Sequence, residues 1–133
     1  MVIIALDIGE RRIGVAVSDP SGTLARPYTI IERRSRAEDF ATVAELVQRL
    51  EAQRVIVGLP VSLDGEIRAQ ARKVARYARA LARVLPVPVE TVDERYSTAI
   101  AQDLLAEAGR KNRVPVDAAA AAVILQEYLD HHV

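Results

Sequence analysis

The sequence predicts an α/β fold: a five-stranded mixed sheet flanked by helices on both faces. Three observations carry that expectation. Short segments rich in Val and Ile recur at 2–8, 13–19, 24–31, 54–60 and 86–93, and β-branched residues suit a pleated, buried surface. The first three follow one another through short turns, which makes an antiparallel meander. The later ones are separated by stretches with helical apolar spacing, and a helical crossover is how parallel strands are joined.

Taken in order, Gly9-Glu10-Arg11-Arg12 joins the first two strands as a hairpin, and Asp19-Pro20-Ser21-Gly22 turns the chain into the third. Residues 37–51 carry Phe40, Val43, Ala44, Val47 and Leu50 at helical spacing. Arg54 to Pro60 is a short buried strand ended by proline, and Asp64-Gly65 closes the loop after it. A long helix is expected over about 66–85, and a strand over 86–93. Ser97 is placed as the N-cap of a helix to about Ala108, stopped by Gly109. A basic loop, Arg110-Lys111-Asn112-Arg113, leads to a last helix over 116–131.

The length of 133 residues and 50% hydrophobic content suit one domain, 1–133, with a real core. There is no cysteine, which excludes disulfides and thiolate metal sites and fits a reducing cytoplasm. No apolar run approaches the ~20 residues of a membrane span, and no signal peptide or membrane partner is expected. Basic and acidic residues balance at 18 each, so bulk charge points to no partner and any polyanion must meet segregated charge.

Three acidic positions stand out. Asp7 ends the first strand, Asp93-Glu94 end the last, and Asp117 opens the final helix. Ligands gather beyond the carboxyl ends of parallel strands in an open α/β sheet, so Asp7 and Glu94 are expected on one edge, with Asp117 brought there by its helix. Converging carboxylates repel and stay ionised together only with a compensating cation. Oxygen-only ligands select Mg²⁺ or Mn²⁺ over zinc. Such ions activate water and stabilise the oxygens of an in-line phosphoryl displacement. Each acid also has a plainer reading. Asp117 is a plausible helix cap, although it shares a face with Ala121, Ile124, Leu125 and Tyr128. Asp93 and Glu94 can be loop carboxylates paired with Arg95. Asp7, at the end of so apolar a run and followed by Gly9, is the hardest to explain as a solvated residue.

Among the basic features, Arg68, Arg72, Arg76, Arg79 and Arg83 form one stripe of the long helix. It reads either as a solvated face or as a track for phosphates. The loop Arg110–Arg113 lies beside the proposed Asp117 site, and Arg12 lies near Asp7. Four tyrosines give few stacking platforms for bases.

In chain order, LDIGERRIGVAVSD, IVGLP with SLDG after it, VDERYST, and VDAAAAAVILQEYL together resemble the YqgF (RuvX) family over essentially the whole chain. The resemblance implies a ribonuclease H-like fold and a divalent-metal-dependent hydrolase. The family is described both as Holliday-junction resolvase-like and as the nuclease that matures the 5′ end of pre-16S ribosomal RNA. By position its acidic triad falls on Asp7, Glu94 and Asp117, which also become the metal ligands. The family's basic loop before the last acid is present as Arg110, Lys111 and Arg113, and Arg12 and Arg95 join them as candidate nucleic-acid contacts. Many ribonuclease H-like nucleases carry an acid on the strand next to the first, whereas here that strand ends in Gly58-Leu59-Pro60. The second acid therefore stands about 9–10 Å out, two strand spacings away, which favours the longer Glu94 over Asp93. The expected partner is nucleic acid, an RNA precursor or branched DNA, and symmetric cutting of a four-way junction calls for a homodimer. Two other classes stay open. An actin-like or sugar-kinase ATPase also uses Asp-Ile-Gly after an apolar strand but needs two domains. A non-catalytic ribosome-assembly module would bind nucleic acid without metal.

Overall fold

The computed structural model describes residues 1–60, 65–94 and 116–132. Five strands form one sheet: β1 (Ile3–Ile8), β2 (Arg12–Ser18), β3 (Ala25–Glu32), β4 (Arg54–Pro60) and β5 (Val89–Glu94), in the order β3-β2-β1-β4-β5. β1 pairs antiparallel with β2 and parallel with β4, and β5 runs parallel to β4. The meander and the two crossovers expected from the sequence are both present. The expected helix over 97–108 lies outside the described residues.

Strand alternation sorts the side chains into two cores. Ile4, Leu6, Ile8, Ile13 and Val15 pack under α1 (Arg36–Leu50) and α2 (Gly65–Ala82). Ile3, Ala5, Ala16 and Ile56 pack under α3 (Val116–His132). α3 meets the sheet with Ala121, Ile124, Leu125 and Tyr128, all buried. These are the residues whose spacing marked its inner face.

The ends of the elements follow local chemistry. Ser35 caps α1 by accepting a hydrogen bond from Glu38 N–H at 3.2 Å. Glu51 closes that helix in the left-handed region, at φ 54°. α2 stops at Ala82 rather than near 85. Its last turn tightens, with Arg83 N–H on Ala80 O and Val84 N–H on Leu81 O, because Leu85 precedes Pro86 and such a residue disfavours helix. β5 begins at Val89 rather than at 86, since neither Pro86 nor Pro88 has an N–H to give the ladder. Pro88 still accepts from Val55 N–H at 3.0 Å. On the edge strand β3, Pro27 pairs beside a register shift opposite Val15/Ala16, where a proline is tolerated.

Candidate metal and nucleic-acid site

Asp7 is the penultimate residue of β1 and half-buried. Alternation places it in the phase of Ile3 and Ala5, on the sheet face that α3 covers. Its Cα partner on β2 is Gly14. A Cβ at Gly14 would overlap the backbone carbonyl of Asp117 and stand 2.9 Å from Ala118 N. Glycine here lets the first turn of α3 lie directly on β2, beside the strand position that Asp7 occupies. Two carboxylates 110 positions apart in sequence thereby share one face and one end of the sheet. The N-terminal turn of α3 favours negative charge at Asp117 through the helix dipole.

The opposite end of α3 is pinned separately. Tyr128 Oη donates to Glu90 Oε2 at 3.1 Å, and Arg54 donates to the same oxygen at 2.8 Å. Burial pushes the Tyr128 phenol up, and the neighbouring Glu90 carboxylate adds to that shift. Gln126 bridges to the β2–β3 turn, accepting from Ala25 N–H and donating to Thr23 O. These contacts fix the helix along the sheet and so fix where Asp117 falls.

Glu94 is the last residue of β5 and the register partner of Pro60. Its backbone shares the strand phase of Val92, which packs toward α3. Asp93, exposed, has the opposite phase and pairs with Leu59, which packs under α1 and α2. The Glu94 side chain lies outside the described residues, as do Arg95, Arg110, Lys111 and Arg113. Among the described residues no three His, Cys, Asp or Glu side chains gather as a metal cluster. Arg12 is exposed at the start of β2, two residues before Gly14 and in its phase. It therefore stands on the Asp7 face, at the hairpin tip where Gly9 N–H bonds Arg12 O at 2.9 Å.

The opposite sheet face carries a second acid that the sequence reading did not single out. Asp39 is only 3% exposed. Its oxygens accept from Arg34 N–H at 3.0 Å and from Tyr77 Oη at 3.2 Å, and Arg33 Nε stands 3.9 Å away. Burial, reinforced by the Asp39 charge, pushes the Tyr77 phenol up to about 12. The signal was present: Asp39 sits four residues before Val43, inside the apolar stripe of α1.

The family model described as RuvX, Holliday junction resolvase, matches residues 1–131. The chain belongs to the RuvX family. A relative from Synechococcus sp. (strain JA-2-3B'a(2-13)), named "Putative pre-16S rRNA nuclease", is 47% identical over 96% of this chain and 76% of its own length. Another of that name, from Maridesulfovibrio salexigens, is 38% identical over 97% of this chain and 98% of its own. Among solved structures, the RuvX chain resembles Thermus thermophilus RuvC in complex with a Holliday junction substrate. There the TM-score is 0.62 at 18% identity, covering 98% of this chain and 95% of that one. It also resembles the fowlpox virus Holliday junction resolvase, with a TM-score of 0.58 at 15% identity over 98% and 99%. The sheet and helices described above are thus the ribonuclease H-like fold of these resolvases. Among the described residues no helix is long and apolar enough to cross a membrane.

Proposed function

We propose that this RuvX-family chain is a divalent-metal-dependent nuclease that hydrolyses phosphodiester bonds in the 5′-end maturation of pre-16S ribosomal RNA. The observation that carries this reading is the seating of Asp117 against Gly14, the strand partner of Asp7. It puts two hard oxygen donors on one face at the carboxyl end of β1. The names of the relatives, at 38–47% identity over nearly the whole chain, supply the substrate.

The donor chemistry of Asp7 and Asp117, with Glu94 in the same strand phase as Val92, suits Mg²⁺ or Mn²⁺. These three residues would hold the ion or ions. When bound, such a cation offsets charge on the attacked phosphate and helps deprotonate water. The chain's own residues do the rest. Asp7 and Asp117 orient the site, and Gly14 sets how closely α3 approaches β2 beside them. Arg12 holds substrate phosphate from the same face, and Arg95, Arg110, Lys111 and Arg113 are assigned the flanking phosphates. Arginine's planar fork suits that role. The whole chain acts as one domain in the cytoplasm.

A second reading is a resolvase acting on branched DNA, favoured by the family description and by the RuvC likeness. It adds a homodimer, since paired cuts need two sites. The deciding experiment offers the purified chain a precursor 16S RNA fragment and a four-way DNA junction, each with Mg²⁺, Mn²⁺ or EDTA. Metal-dependent trimming of the RNA is the expected result. Junction cleavage alone selects the second reading. Binding that persists in EDTA, with no product in any metal, removes both and leaves an assembly module.

A further inference from the structure

We propose that the cleft between α1, α2 and the β1–β2 turn is a second phosphate-binding surface. It would hold the backbone of a polynucleotide several nucleotides from the acidic site. The proposal rests on the nucleic-acid reading above but not on cleavage.

The cleft is a cavity of about 630 Å³, floored by Ile8, Gly9 and Val74. Four cationic side chains line it: Arg33, Arg36, Lys73 and Arg76, against the single carboxylate of Glu10. They come from two segments, 33–36 and 73–76 on α2, and converge on one concavity. Like charges drawn together in this way repel unless an anion joins them.

Two of the four are held in place. Arg33 donates to Gly9 O at 2.6 Å and stands over the Tyr77 ring, 4.8 Å from its centre. Arg36 lies 5.7 Å from the same ring. Phe40 meets that ring edge-on at 5.0 Å, and Asp39 accepts the Tyr77 hydroxyl. A buried aromatic thus presents two guanidinium groups as a fixed pair. Asp39 offsets Arg33 in part. Among the described residues no carboxylate forms an ion pair with Arg36, Lys73 or Arg76 within 4.0 Å.

The arginine stripe of α2 is not the binding unit. Of its members only Arg76 lines the cleft, joined by Lys73 from outside the stripe. Arg68, Arg72, Arg79 and Arg83 are exposed positions elsewhere on the helix or just beyond it.

Position connects the cleft to the acidic site. Ile8 and Gly9 directly follow Asp7, but Ile8 faces α1 and α2 while Asp7 faces α3. The two sites lie back to back across the end of β1. Exposed Arg11 and Arg12 form the hairpin tip between them. A strand crossing that tip meets Arg11 and Arg12, with Glu10 beside them. Tyr77 is buried, so the cleft offers no stacking platform, and binding there reads charge rather than base sequence.

The test is a binding titration in EDTA, where nothing is cut. It compares single-stranded RNAs of about 4 and about 16 nucleotides. The full chain is compared with Lys73→Ala/Arg76→Ala and with Arg68→Ala/Arg79→Ala; all four positions are exposed and helical, and alanine favours helix. Lys73→Ala/Arg76→Ala should weaken the long RNA by about tenfold or more and lower its log K against log salt slope by about 2. The short RNA should move by less than about twofold, and Arg68→Ala/Arg79→Ala should keep the gain with length. Equal loss from both pairs overturns the proposal, as does no loss from either. A wild-type chain that binds the long RNA no better than the short one does the same. Tight competition by a free nucleoside monophosphate marks a small-anion site instead and also overturns it. Length-dependent binding by a chain that cuts nothing in Mg²⁺ or Mn²⁺ supports the cleft while sinking the nuclease reading.

Discussion

The two faces of the sheet each hold an acid at the same end of the molecule, and they treat it differently. On the α1/α2 face the core is built from large side chains, and Asp39 is enclosed with Arg34 N–H, the Tyr77 hydroxyl and Arg33 around it. On the α3 face the helix contributes Ala118, Ala119, Ala120 and Ala121 near its start. Glycine on β2 lets its backbone touch the sheet there, and Asp7 and Asp117 stay half-buried. A carboxylate with protein donors on every side is structural. Half-buried acids on one sheet face, at a strand end and a helix start, suit an external cation. The contrast between faces, more than any one residue, separates a stability acid from a chemistry acid.

The largest expected effect breaks that contrast on the open face. Asp7→Asn should lower metal-dependent cleavage on the order of 10³-fold, several kcal/mol at the transition state. Its melting temperature should shift by only a few degrees. Full activity in a gel-based cleavage assay would remove Asp7 from the site. The reverse pattern is expected on the closed face. Asp39→Ala leaves a buried network without its acceptor and should cost about 3 kcal/mol in urea unfolding. A loss below about 0.5 kcal/mol would show that the enclosed acid is not structural.

Gly14→Ala tests the seating of α3. The added methyl meets backbone, which cannot rotate away, so overpacking should cost about 2 kcal/mol. Cleavage per folded molecule should fall as well, because Asp117 moves off the sheet. A variant as stable and active as the parent would mean that close approach is not required.

The smallest effect sharpens the comparison by pH. Tyr77→Phe should cost about 1 kcal/mol at neutral pH through the lost hydrogen bond. The folded Tyr77 phenol is raised from 10.0 to about 12. The folded state therefore keeps its proton where the unfolded chain has lost it. The stability tied to this group is fully present below pH 10 and drains away as pH rises toward about 12. In Tyr77→Phe that part of the alkaline decline should flatten, as read by denaturant midpoints between pH 8 and about 11. An unchanged alkaline limb would place its cause elsewhere.

Much of this architecture is legible from periodicity. The five strands, the meander, the parallel crossovers and the inner face of α3 follow from where apolar residues recur, because burial on one face imposes a period of two or 3.6. Ends were less legible. α2 and β5 are trimmed by the proline-rich segment 86–88, whose missing N–H groups act on neighbouring elements as well as on themselves. Asp7 stood out because a charge interrupts a strand. Asp39 did not, because one acid inside a helical stripe resembles an ordinary first-turn carboxylate.

By itself the sequence determined most of the strands and helices and which side of each is apolar, and it raised the expectation that Asp7, Glu94 and Asp117 meet at one edge of a mixed sheet. Tertiary structure alone decided that Gly14 seats Asp117 opposite Asp7. It also decided that Lys73 and Arg76, rather than the whole arginine stripe, meet Arg33 and Arg36 in one cleft. Periodicity reports only what faces inward. Which distant residues meet there depends on strand register and on how closely two backbones can approach.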